Sequence, residues 1–168
     1  MYGIDLLIEE HEKILRFTDF LRKLCCDILS GQEVDLEKFR EAVEFGRNYA
    51  DKHHHGKEEK ILFRYMTEEL GMAAEKLIRN GMLVEHDLGR YHVRELVKAL
   101  DAYEQEKTTE GKLDIITHAT GYAELLKRHI EKENAVVFTF AERMLSDATK
   151  AKIDEETESF EREAKCVL

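Results

Sequence analysis

The sequence predicts an all-α fold: an antiparallel up-down-up-down four-helix bundle with a short additional C-terminal helix. Apolar residues recur every three or four positions over four long stretches, and proline is absent from all 168 residues. Only short segments containing Gly, Thr or acidic residues separate the stretches, which forces neighbouring helices to run antiparallel. The length suits one function-bearing domain around one apolar core. It divides into the bundle over residues 1–145 and a helical tail over 146–168 packed against it.

The first helix is predicted from Ile4 to Leu29, ending before Ser30, Gly31 and Gln32. Asp35 is suited to cap the second, which runs to Leu70 and stops at Gly71. The third covers Ala74 to Glu106, with a break near Asn80 and Gly81. The segment Lys107 to Gly111 is the next connection, and the fourth helix runs from Leu113 to Met144. A fifth follows Ser146, laying Ile153 and Phe160 against the outside of the bundle.

Composition narrows the function. A net charge of -10 leaves no basic surface able to neutralise a phosphate backbone, so neither nucleic acid nor an anionic membrane is the expected partner. No run approaches the roughly 20 apolar residues of a membrane span, and acidic residues crowd the first ten positions, so a cytoplasmic setting is expected. Charge-dense helices suggest a monomer or weak homodimer. Cys25 and Cys26 are adjacent and cannot easily bridge to each other, and Cys166 has no visible partner. None of the three has thiolate-metal spacing, so reduced, structural cysteines are predicted.

Eight histidines in so short a chain raise the question of which ones face inward. At about 100° per residue, Phe39, Val43, Ala50, His54, Glu58, Ile61 and Tyr65 share one face of the second helix. On the fourth, Ile115, His118, Tyr122, Leu125, His129, Glu133, Val136 and Phe140 do the same. The first helix adds His11 in the row Ile4, Leu7, Ile8, His11, Leu15, Thr18. The third adds His86 in the row Met82, His86, Gly89, Val93, Val97, Leu100. Of the run His53-His54-His55 only His54 is predicted to point inward; His55 and Glu59 are the alternatives if the helix is rotated by one residue, and the sequence leaves open whether they replace or supplement His54 and Glu58.

Ligands to one centre must also converge at one level. From a turn near position 32, His11 lies 21 residues back and His54 22 residues on. From a turn near 71, the midpoint of His54 and Glu58 lies 15 residues back and His86 15 on. From a turn near 108, His86 lies 22 back and His129 21 on. The candidate metal ligands His11, His54, Glu58, His86, His129 and Glu133 therefore form one layer. Imidazoles with carboxylates suit a borderline transition metal, and six ligands are too many for one ion that keeps an open position. Two irons sharing the glutamates, with an oxo or hydroxo bridge, fit best; zinc or manganese satisfies the same donors. His118 lies 11 residues from His129, about 16 Å along the axis, and is predicted to be a core or channel histidine.

These residues resemble the haemerythrin-like, or HHE cation-binding, family, whose pattern is His on the first helix, His-x-x-x-Glu on the second, His on the third and His-x-x-x-Glu on the fourth. The matching stretches are Glu10-His11, His54 through Phe63, Glu85 through Arg90 and His129 through Phe138, and the resemblance spans Leu6 to Glu142. It implies the same six ligands and a non-haem di-iron centre that binds or reacts with oxygen, nitric oxide or peroxide, as sensor, scavenger or iron-handling module. Metal sequestration or a structural metal site without redox turnover is the alternative. The sequence departs from the family pattern at Arg64 and Thr139, where family members often have proline. Met82 and Arg90 also flank His86 where oxygen carriers place a fifth histidine, which implies an open coordination site suited to reaction or sensing.

Overall fold

A computed structural model describes residues 1–165. Helix α1 spans Tyr2–Leu29, α2 residues 36–69, α3 residues 71–105, α4 residues 109–144 and α5 Asp147–Lys165. No strand is present among the described residues, and each of the first four helices packs on its sequence neighbours, with α4 closing the ring against α1.

Local chemistry sets the helix ends. Gly31 and Gly71 take positive φ angles of 95° and 67°, which reverse the chain after α1 and α2. The Asp35 side chain accepts from the Lys38 amide at the start of α2, and Thr108 accepts from the Gly111 amide at the start of α4. That Thr cap starts α4 at Thr109, four residues before the predicted Leu113. On α3 the predicted break near Asn80 is instead a π-helical turn, Ile78–Met82, inside a continuous helix that begins at Gly71.

Three further π-helical stretches, Gly46–His55, Glu58–Leu62 and Glu133–Val137, interrupt α2 and α4. A π turn holds an extra residue, so it rotates everything beyond it relative to a straight α-helical count. Val137 is consequently buried and Val136 half exposed, the reverse of the predicted face.

The interior holds two apolar clusters, where one had been expected. Ile14 to Ile28 of α1 pack with Phe39 to Ala50, Val93 to Tyr103 and Ile115 to Ile130. At the other end Ile4 and Leu7 pack with Ile61 to Met66, Ala74 to Met82, Val137 to Ala141 and Ile153 of α5. Between them lies a layer of buried polar residues.

Candidate metal centre

The layer consists of His11, His54, His55, Glu58, His86, His129 and Glu133, each no more than 3% exposed. Burying so many polar groups is costly unless they are paired or hold an ion. Their atoms fall into two groups that share Glu58. In each, the ligating atoms lie within 4.8 Å of one another: His55, Glu58, His86 and His129 in one, and His11, His54, Glu58 and Glu133 in the other.

The carboxylates span the two groups. Glu58 Oε1 lies 3.5 Å from His54 Nε2, and its Oε2 lies 3.5 Å from His86 Nε2. Glu133 Oε1 lies 3.1 Å from His129 Nε2, and its Oε2 lies 3.2 Å from His11 Nε2. Each glutamate thus presents one oxygen to each half of the layer, leaving three imidazoles on one side and two on the other.

All six sequence-predicted residues come together here, and one further residue joins them. His55 was expected to turn aside; instead it is buried, its ring stacked 3.8 Å from that of His86. The π-helical stretch Gly46–His55 brings consecutive histidines to the same side of α2, which a 100° count does not allow. A fifth imidazole is therefore present, donated by α2 and not by α3. Within the sequence, the signal for it was the triplet His53-His54-His55 together with the alternative of a helix rotated by one residue.

Every one of the five rings is held from behind. His11 Nδ1 donates to Asn134 Oδ1 at 2.9 Å, His54 Nδ1 to Glu10 at 2.9 Å and His86 Nδ1 to Glu59 at 2.7 Å. His129 Nδ1 donates to Glu85 at 2.8 Å, and His55 Nδ1 reaches toward Asp51 at 3.4 Å. In a neutral ring, an Nδ1 proton fixed outward leaves Nε2 as the inward lone pair, the tautomer a metal requires. Cations hold the outer carboxylates in turn: Arg90 reaches Asp51 and Glu59 at 2.7 Å, Lys132 pairs with Glu85, and Lys57 with Glu10.

Burial is the main influence on the ring pKa values. It lowers that of His54 to about 4 and, with His86 beside it, that of His55 to about 3, so both are neutral. Burial also disfavours charge on His129, but Glu133 and Glu85 outweigh it and raise its pKa to about 9. Desolvation and the facing Glu133 push Glu58 well above the usual carboxylate range. For Glu133, His129 and His11 overcome desolvation and hold it well below. Asp51 and Glu59 stay ionised at about 2 because hydrogen bonds from His55, His86 and Arg90 overcome burial.

The donor set fits a metal pair. His11 Nε2, His54 Nε2 and both oxygens of Glu58 and of Glu133 are buried without a hydrogen-bond partner. Each such group costs about 1–3 kcal/mol if nothing meets it. Two ions between the two groups would satisfy all six, and two carboxylates would offset half the charge of two divalent cations.

Other histidines lie elsewhere. His118 is only half-buried, with its Nδ1 3.3 Å from that of His92, so it belongs to a surface pair and not to the core or a channel. Tyr65 donates to Glu156 of α5. Tyr122 lies under a cavity of about 160 Å³ that is also lined by Arg47, Asp51, His55, His86 and Arg90. Cys166 lies outside the described residues.

A helical bundle with a buried histidine–carboxylate layer of this kind is a cation-binding bundle. The Hemerythrin HHE cation binding domain matches residues 2–141, and the chain belongs to that family. No curated protein matches the chain. Among the described residues no helix is long and apolar enough to cross a membrane.

Proposed function

We propose that the chain is a non-haem di-iron protein that binds or reacts with a small diatomic molecule or peroxide, oxygen and nitric oxide foremost, as a sensor, scavenger or iron-handling protein. The observation that carries it is the asymmetric donor set: His55, His86 and His129 on one side, His11 and His54 on the other, with Glu58 and Glu133 each spanning both. Iron held by these residues would supply a change of oxidation state, and the side with one imidazole fewer would leave it more open to a small ligand.

The chain's own residues prepare that chemistry. Burial keeps His54 and His55 neutral, the outer carboxylates fix the rings, and the two apolar clusters exclude bulk water. The cavity beside His55 and His86 has room for small molecules only. A cytoplasmic monomer or weak dimer with reduced cysteines completes the proposal.

Elemental analysis, paired with an optical spectrum of reduced protein before and after oxygen or nitric oxide, tests it. About two irons per chain and a gas-dependent charge-transfer band are expected. His55→Ala should lose the ion of the three-histidine side, lowering metal content toward one per chain. Zinc with no gas-dependent band would replace diatomic chemistry by sequestration or structural binding. Unchanged metal content in His55→Ala, His54→Ala and His129→Ala alike would sink the ligand assignment.

A further inference from the structure

Helix α5 begins at Asp147, beyond the residues 2–141 matched by the family domain, yet it is closely seated on the bundle. Ile153 and Thr157 are 1% and 3% exposed. Seating of this kind leaves no slack at two glycines: a Cβ at Gly3 would lie 3.0 Å from Thr157 Oγ1, and one at Gly56 3.3 Å from Phe160 Cζ. Polar contacts fix the register, with the Gly3 amide donating to Asp154 at 2.8 Å and Tyr65 to Glu156 at 2.7 Å.

One contact of α5 leads inward. Glu161 accepts from Lys57 at 2.6 Å. The Lys57 side chain is 1% exposed, and its ammonium also pairs with Glu10, itself 3% exposed. Glu10 then accepts from His54 Nδ1 at 2.9 Å and from His53 Nε2 at 3.0 Å. Glu10, His53 and Glu161 alone would resemble a third cation site, but the Lys57 ammonium already stands among them. Of the three cations behind the rings, Arg90, Lys132 and Lys57, Lys57 is the one that pairs with a residue of α5 among the described residues. Arg90 and Lys132, which serve the three-histidine side, belong to α3 and α4.

We propose that α5 is a clamp specific to the two-histidine side of the centre, with Lys57 and Glu161 as positioning residues that hold His54 through Glu10. The inference rests on the two-metal assignment above and adds which ion the extra helix governs. A buried ammonium with one partner removed loses much of its fixed orientation, because in a dry site the remaining carboxylate must satisfy it alone. Glu10 then holds the His54 ring less firmly. Loosening the group behind a ligating imidazole weakens metal binding by about 10–100-fold. Glu161 is one contact further out, so the lower end of that range applies.

The test uses full-length protein loaded with cobalt(II), whose visible bands report both sites, and follows release of each ion to excess EDTA. Glu161→Gln should release one of the two ions about tenfold faster and leave the other unchanged. In the proton spectrum of the cobalt protein, the shifted N–H signal assigned to His54 should move while those of His86 and His129 stay. Glu156→Gln is the control: it weakens α5 docking at Arg64 and Tyr65 without touching Lys57, and should behave as wild type. Wild-type release rates in Glu161→Gln, or equal acceleration in Glu156→Gln, would overturn the clamp while leaving the two-metal centre in place. A wild-type chain that takes up fewer than two cobalt ions would overturn the two-metal assignment and the clamp together.

Discussion

Neighbouring side chains in this chain meet very different solvents. Cys25 is 1% exposed, and burial, with Cys26 beside it, pushes its thiol pKa up to about 11, whereas Cys26 is exposed. The thiolate is the reactive form, so Cys25 should be inert in the folded protein. Iodoacetamide at pH 8 should label Cys26 and reach Cys25 only in denaturant, as read by peptide mass mapping; equal labelling of both would contradict the packing of α1. The same contrast of consecutive residues governs the histidine triplet, where His54 and His55 are buried while His53 is half-buried. The sequence carried enough information to place His11, His54, Glu58, His86, His129 and Glu133 in one layer, because helix period and distance from the turns are both local quantities. It left open whether His55 replaces or supplements His54, since choosing between an α and a π turn depends on what the backbone gains by bringing both rings inward.

At the scale of elements, the π turns mark where sequence reasoning failed. Faces were read correctly at Phe39 and Val43 in the regular first turns of α2, whereas Ile8 of α1, placed inward with Leu7 and His11, is 38% exposed. They drifted beyond Glu133, where Val137 replaced Val136 inside. Regular α3–α4 packing also explains the misplaced His118: it meets His92 across the helix pair, and His92 lies so close over Gly121 that a Cβ there would stand 2.5 Å from its Cε1. Burial and the neighbouring His118 lower the His92 pKa below 6.5. The folded protein therefore takes up this proton less readily than the unfolded chain, so the pair diminishes stability as pH falls below 6.5 and has no effect well above it. Gly121→Ala must swing the His92 ring away from His118. Its pKa in an NMR titration should rise toward the ordinary histidine value, and the acid-side loss of stability should shrink. An unchanged His92 titration would show that the ring is not seated on Gly121.

For the whole molecule, the decisive feature is that a polar layer separates the two apolar clusters. All four helices of the bundle cross it, each contributing at least one histidine or glutamate: His11 from α1, His54, His55 and Glu58 from α2, His86 from α3, and His129 and Glu133 from α4. Ions in the layer would therefore join four helices at once, whereas without them the unpartnered oxygens of Glu58 and Glu133 oppose burial. Binding only to the folded state adds about 2.7 kcal/mol at a ligand concentration 100 times Kd, which for a chain of this size raises Tm by roughly 5–10 °C. Chelator treatment should accordingly lower Tm by at least that much. Hydrogen exchange should rise first around 54–58 and 129–133, where the layer interrupts the core, and last in the cluster built on Ile14 to Ile28. Glu58→Gln separates the two roles of the carboxylate: it should lower the Tm of metal-loaded protein by removing a shared ligand. It should leave the metal-free Tm unchanged or higher, because the amide resembles the protonated acid that burial already favours at this position. A variant that lowers both melting temperatures equally would mean that Glu58 serves packing alone and that the layer owes nothing to bound ions.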